Sequence, residues 1–66
     1  MHIQFNGRRA LVTGSTGGIG FAIAKGLLAA GAEVVVNGRS EASVAAALAR
    51  LQDLPGRAIG FAGDLA

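Results

Sequence analysis

Cysteine, tyrosine and tryptophan are absent from this chain of 66 residues, and histidine, lysine, methionine and proline occur once each. Without cysteine there is no disulfide and no thiolate metal site. The one histidine, His2, sits at the N-terminus, a poor place from which to act as base or ligand. Long apolar runs are missing as well. No stretch approaches the roughly 18 consecutive apolar residues of a membrane span, and the opening MHIQFNGRR has no apolar core of a signal peptide. The expectation is a soluble, cytoplasmic protein with no membrane partner. Charge is scarce, at 15% of residues. The basic residues Arg8, Arg9, Lys25, Arg39, Arg50 and Arg57 are dispersed along the chain, and the formal net charge is +2. A nucleic-acid partner needs a patch or stripe, so none is expected.

What remains is apolar and small: the hydrophobic share is 52%, with 11 glycines. That is the composition of a buried interior, not of a disordered tail. A chain this short has room for one small core, so it reads as the inside of something larger.

The apolar pattern divides the chain into five elements. Arg9-Ala10-Leu11-Val12, after the turn dipeptide Asn6-Gly7, is short, apolar at its end and stopped by glycine, the mark of a buried strand. From residue 19 the period changes. Ile19, Ile23 and Leu27 recur every four residues with Ala22, Gly26 and Ala30 beside them, which predicts one face of a helix. Gly31 stands where a helix C-terminus favours a left-handed residue. Glu33-Val34-Val35-Val36 is continuous and β-branched, as in a parallel strand covered on both faces. Ser40 as N-cap, Glu41 in the first turn, and Val44, Leu48 and Leu51 in one stripe predict a second helix from about residue 41 to 52. Leu54-Pro55-Gly56 breaks it, and residues 57–62 offer a third, weaker strand. Phe21 and Phe61 are expected in the core and Lys25 on a solvated face. Alternating strands and helices with crossovers this long predict an α/β fold, the first βαβαβ half of a Rossmann-type doubly wound parallel sheet.

The stretch TGSTGGIG, residues 13–20, lies where the first predicted strand turns into the first helix. A helix N-terminus at the carboxyl end of a parallel strand offers unpaired amides and a partial positive charge, so an anion belongs there. Glycines remove the Cβ atoms that would hold a pyrophosphate away from those amides. Ser15 and Thr16 add hydroxyls able to donate to phosphate oxygens. A P-loop needs lysine and then serine or threonine after its last glycine, whereas Gly20 is followed by Phe21, so nucleoside triphosphate binding is disfavoured. The glycines are spaced G-x-x-x-G-x-G on Gly14, Gly18 and Gly20, with Gly17 extra, and do not fit G-x-G-x-x-G. A glycine-rich turn of purely structural purpose is the alternative.

That spacing directly after an apolar strand, entered through Phe5-Asn6-Gly7-Arg8-Arg9-Ala10-Leu11-Val12, resembles the N-terminal portion of the short-chain dehydrogenase/reductase family. The resemblance runs over all 66 residues and implies a Rossmann-type sheet that binds NAD(H) or NADP(H). It makes Gly14, Gly18 and Gly20 cofactor residues, with Ser15, Thr16 and Ile19 lining the phosphates. Asp64-Leu65, after the third predicted strand, matches a pair that in the family contacts the adenine ring.

Which dinucleotide is expected follows from the end of the second strand. An acidic residue there, about 20 positions beyond the glycines, accepts from the adenosine ribose hydroxyls, but the sequence reads Asn37-Gly38-Arg39. Glu33 is at the wrong end of the strand and Glu41 belongs to the next helix. Arg39 offers a guanidinium suited to a 2′-phosphate, so NADP(H) is expected before NAD(H). The resemblance agrees, because a basic residue just after that strand accompanies NADP and Gly38 stands where NAD-preferring members carry aspartate. An ordinary solvated arginine is the other reading of Arg39, and Asn37 either bonds to the ribose or closes the turn.

The family's Tyr-x-x-x-Lys pair is not present, since the chain has no tyrosine and its lysine lies on the first helix. No catalytic and no metal-ligating residue is therefore assigned. The expectation is residues 1–66 as the N-terminal part of a dinucleotide-binding domain whose catalytic half is absent. Its parent would be an oxidoreductase moving hydride between nicotinamide and a small carbonyl or alcohol, homo-oligomeric by resemblance. A non-catalytic nucleotide-binding or interaction module is the alternative.

Overall fold

Ala10, Val12, Val34 and Val36 have no exposed surface, which is every second residue along two neighbouring strands and follows from the alternation of side chains about a pleat. The computed structural model describes residues 3–63. They form β1 (Ile3–Asn6), β2 (Arg9–Val12), α1 (Gly18–Ala29), β3 (Glu33–Gly38), α2 (Glu41–Leu51) and β4 (Arg57–Ala62). The sheet runs β1-β2-β3-β4. β3 lies parallel to β2, with Ala10 opposite Val34 and Val12 opposite Val36. β4 lies parallel to β3, with Val35 opposite Ile59 and Asn37 opposite Phe61.

Both helices pack on the face of Ala10, Val12, Val34 and Val36. One cluster joins those residues to Phe21, Ala24 and Leu28 of α1 and to Ala47 and Leu51 of α2. Burying a leucine such as Leu28 or Leu51 contributes about 1.5–3 kcal/mol in transfer free energy, and these side chains fix how the helices sit on the sheet. α1 ends as expected: Gly31 has φ +91°, its N–H donates to the Leu28 carbonyl at 3.0 Å, and the Ala32 N–H donates to that of Leu27 at 3.0 Å. This is the paired closing motif in which glycine takes the left-handed residue.

Four features differ from the sequence expectation. β1 is an additional strand, antiparallel to β2 with Ile3 opposite Val12 and Asn6 opposite Arg9. The Asn6-Gly7 turn is the hairpin that creates it, with Gly7 at φ +65°. Secondly, the buried face of α1 is centred on Gly20, Phe21, Ala24 and Leu28; of the expected row, Ile23 and Leu27 are half-buried against the core and Ile19 is turned away from it. At 100° per residue Ile19 lies far round the helix from Ala24, and it is 72% exposed. Nearly every residue of GIGFAIAKGLLA is apolar or small, so the period alone could not pick a face. Thirdly, Phe61 is 44% exposed and not in the core. Finally, helices cover only one side of the sheet among the described residues: Leu11 and Val35 on the other side are half-buried and Ile59 is exposed.

Candidate nucleotide site

Residues 13–17 carry the chain from β2 into α1, and two of the glycines around that turn have dihedrals that other residues avoid. Gly14 has φ +60° and Gly18 φ +58°, a region that costs a residue with a Cβ about 1–2 kcal/mol. Gly20 is constrained differently. A Cβ there would lie 2.6 Å from the Gly14 carbonyl oxygen, so the first turn of α1 folds tightly onto the start of the loop.

The N-terminus of α1 is bare. Its N-cap is Gly17, which offers no side-chain oxygen, and no acidic residue lies in the first turn. The Phe21 N–H donates to the Gly17 carbonyl at 3.2 Å, which leaves the amides of Gly18, Ile19 and Gly20 without an acceptor within the helix. α2 begins in the opposite way. The Ser40 Oγ accepts from the Ser43 N–H at 3.1 Å, and Glu41 occupies its first turn. The positive end of one helix is thus capped and countered by its own side chains, and that of the other is not.

Asn37 holds this turn in place. It is 5% exposed and its side chain reaches three backbone groups. The Gly14 N–H donates to Oδ1 at 3.2 Å, while Nδ2 donates to the carbonyls of Phe61 at 3.1 Å and Gly63 at 2.9 Å. Ser15, with no exposed surface, completes the arrangement: the Asn37 N–H donates to Ser15 Oγ at 2.9 Å, and the Ser15 N–H donates to the Asn37 carbonyl at 2.8 Å. The carboxyl ends of β2, β3 and β4 are drawn together around one buried amide, at the edge where open α/β sheets bind ligands.

The expected site residues divide accordingly. Gly14, Gly18 and Gly20 are together at the turn, with half-buried Thr16 beside them and exposed Ile19 at the head of α1. Ser15 and Asn37 are buried, and their polar atoms are engaged with backbone, which suits a positioning role better than direct contact with phosphate or ribose. Arg39 follows the last residue of β3, is exposed, and has no ion-pair partner among the described residues. Asp64 and Leu65 lie outside the described residues. The chain heads toward them from Gly63, whose N–H donates to the Gly38 carbonyl at 2.9 Å. At the opposite end of the sheet Glu33 accepts from Arg9 Nε, well away from the turn.

The sequence left Asn37 between a ribose contact and closure of the turn; that its side chain also reaches β4 and Gly63 was not among those readings, though a signal existed. A polar residue that continues the buried run Val34-Val35-Val36 must find partners for all its polar atoms.

The short chain dehydrogenase family model matches residues 8–66, and the chain belongs to that family. Among its relatives, the D-beta-hydroxybutyrate dehydrogenase of Cupriavidus necator is 60% identical over 44 residues, which are 67% of this chain and 17% of that protein. The 2-dehydro-3-deoxy-D-gluconate 5-dehydrogenase of Formosa agariphila is 46% identical over 61 residues, 91% of this chain and 23% of that protein. A crystal structure of 3-oxoacyl (acyl-carrier-protein) reductase from Agrobacterium tumefaciens with NADP bound superposes with a TM-score of 0.78 at 52% identity, over 91% of this chain and 23% of that one. The chain therefore spans about a fifth of the length of the relatives it matches. The α/β Rossmann-type architecture expected from the sequence is the one observed.

Proposed function

We propose that this chain is the NADP(H)-binding portion of a short-chain oxidoreductase, which transfers hydride between the nicotinamide and a carbonyl or alcohol carbon of a small substrate. The observation that carries the reading is the uncapped, carboxylate-free N-terminus of α1, set beside a turn whose glycines leave the backbone amides open to a pyrophosphate. In this reading the amides of residues 18–20 and the Thr16 hydroxyl hold the phosphates. Ser15 and Asn37 keep the turn in register with β3, Arg39 meets the 2′-phosphate, and Asp64 with Leu65 lies against the adenine. The choice of NADP(H) is supported by the exposed guanidinium at the end of β3, and by a half-identical relative whose structure has NADP bound.

When bound, the nicotinamide supplies or accepts the hydride. This chain's residues bind and orient the nucleotide, and none is assigned to proton transfer. The chain has no tyrosine, and Lys25 is exposed on α1, so the acid that protonates the carbonyl oxygen belongs to the remainder of a longer protein. In this reading the longer protein is cytoplasmic and homo-oligomeric. Among the described residues no helix is long and apolar enough to cross a membrane.

Calorimetric titration of the intact protein with NADPH and NADH tests the proposal. Saturable binding with NADPH preferred is the expected result, and failure of both nucleotides to bind would remove it.

A further inference from the structure

Gly38 ends β3 with its backbone outside the left-handed region, so its dihedrals are open to any residue. Space is what keeps it a glycine. A Cβ at this position would lie 2.4 Å from Cγ2 of Thr16, 3.0 Å from Cγ2 of Val44 and 3.1 Å from Oγ of Ser43. The two contacts from α2 are tight but ask for a shift of only a few tenths of an ångström, whereas the Thr16 methyl overlaps the added atom outright. Val44 is 5% exposed, and Ser43 Oγ donates to the Ser40 carbonyl at 3.0 Å within the helix cap. The third wall is a methyl group from the glycine-rich turn itself, on a β-branched side chain with few χ1 wells.

In dinucleotide folds the end of this strand is where a carboxylate accepts from the ribose hydroxyls, and the same carboxylate would repel a 2′-phosphate. We propose that the Thr16 methyl group is a determinant of nucleotide choice: by filling the space against Gly38 it bars a side chain from the end of β3, which leaves Arg39 to face the 2′ position. This rests on the reading that the turn receives a dinucleotide. Phosphate turn and ribose site are then mechanically coupled. A carboxylate introduced at 38 displaces Thr16 and with it the loop that holds the pyrophosphate, so it weakens NADPH without recruiting NADH. Shortening Thr16 to serine keeps the hydroxyl and opens the space.

The test is a double-mutant cycle on the intact protein: wild type, Thr16→Ser, Gly38→Asp and the double variant, each titrated with NADPH and NADH. Gly38→Asp alone is expected to lose at least tenfold in NADPH affinity with no gain for NADH. The double variant is expected to bind NADH at least tenfold more tightly than Gly38→Asp. An equal NADH gain from Gly38→Asp in both backgrounds would overturn the proposal. A parallel cycle with Gly38→Ala, followed by urea unfolding, guards against variants that fold poorly. Alanine should lower the midpoint when residue 16 is threonine and lower it far less when it is serine. Equal losses would show that the methyl is not the obstacle and overturn the proposal independently of any ligand. A wild type that binds neither nucleotide would instead bring down the nucleotide reading, and the assignment of Thr16 with it, while the urea cycle would still report the contact.

Discussion

Ser15 and Asn37 clasp one another across the start of the glycine turn: the Asn37 N–H donates to Ser15 Oγ at 2.9 Å, and the Ser15 N–H returns a bond to the Asn37 carbonyl at 2.8 Å. The loop is thereby fastened to β3 before any ligand arrives, which lowers the ordering cost of binding.

Asn37→Ala removes the acceptor of the Gly14 amide and the donor to two carbonyls in a buried setting. The cost should be about 2–4 kcal/mol of stability, since each stranded group forfeits roughly 1 kcal/mol or more. Asn37→Asp should do no better, because a carboxylate would then face the carbonyls of Phe61 and Gly63. Urea unfolding followed by far-ultraviolet circular dichroism gives both values.

Gly20→Ala should impair the site more than the core. The added methyl meets the Gly14 backbone oxygen, which cannot rotate away as a side-chain end would, so the turn must shift. A loss of about 1–3 kcal/mol in stability is expected, with NADPH affinity reduced at least about tenfold, as a misplaced turn would cost some 1.4 kcal/mol of binding. Isothermal titration measures the second quantity.

Arg39→Asp separates binding from folding. The side chain is exposed and unpaired among the described residues, so stability should change by less than about 0.5 kcal/mol. NADPH affinity should fall by about ten- to a hundredfold, the worth of a charge-assisted bond to phosphate, and NADH should be favoured in relative terms. An unchanged ratio of the two nucleotides in steady-state kinetics would take Arg39 out of the site.

Ser40→Ala tests the contrast between the helices. Loss of the cap that accepts the Ser43 N–H should cost about 1 kcal/mol. Gly17→Ala breaks no side-chain cap bond, so its loss should be the smaller of the two, although alanine is a poorer N-cap than glycine. Thermal unfolding of both variants gives the comparison.

The sequence disclosed elements whose signals are chemical and local. Gly31 marked the end of α1, Ser40 with Glu41 marked the start of α2, and the valine run marked β3, because each of these residues makes its own contribution at a fixed place. The burial of α1 was not legible: a helix made almost wholly of alanine, glycine, leucine and isoleucine has no polar face to orient it, and the sheet beneath it decided. β1 escaped for a related reason. Three of the four residues in Ile3–Asn6 are exposed, so the strand owes its form to pairing with β2 and not to an apolar pattern. At the site, the glycines were legible from spacing. The part played by Asn37 and the obstruction between Thr16 and Gly38 were not, since both arise from residues more than twenty positions apart that meet only when β3 lies beside β2.

The most direct test of the central claim is an amide-resolved NMR titration of the isotopically labelled protein with NADPH. If a pyrophosphate rests on the open end of α1, the amides of Gly18, Ile19 and Gly20 will show the largest shifts and saturate together with those of the preceding turn. Saturation with NADPH that leaves these three amides unmoved would contradict the account.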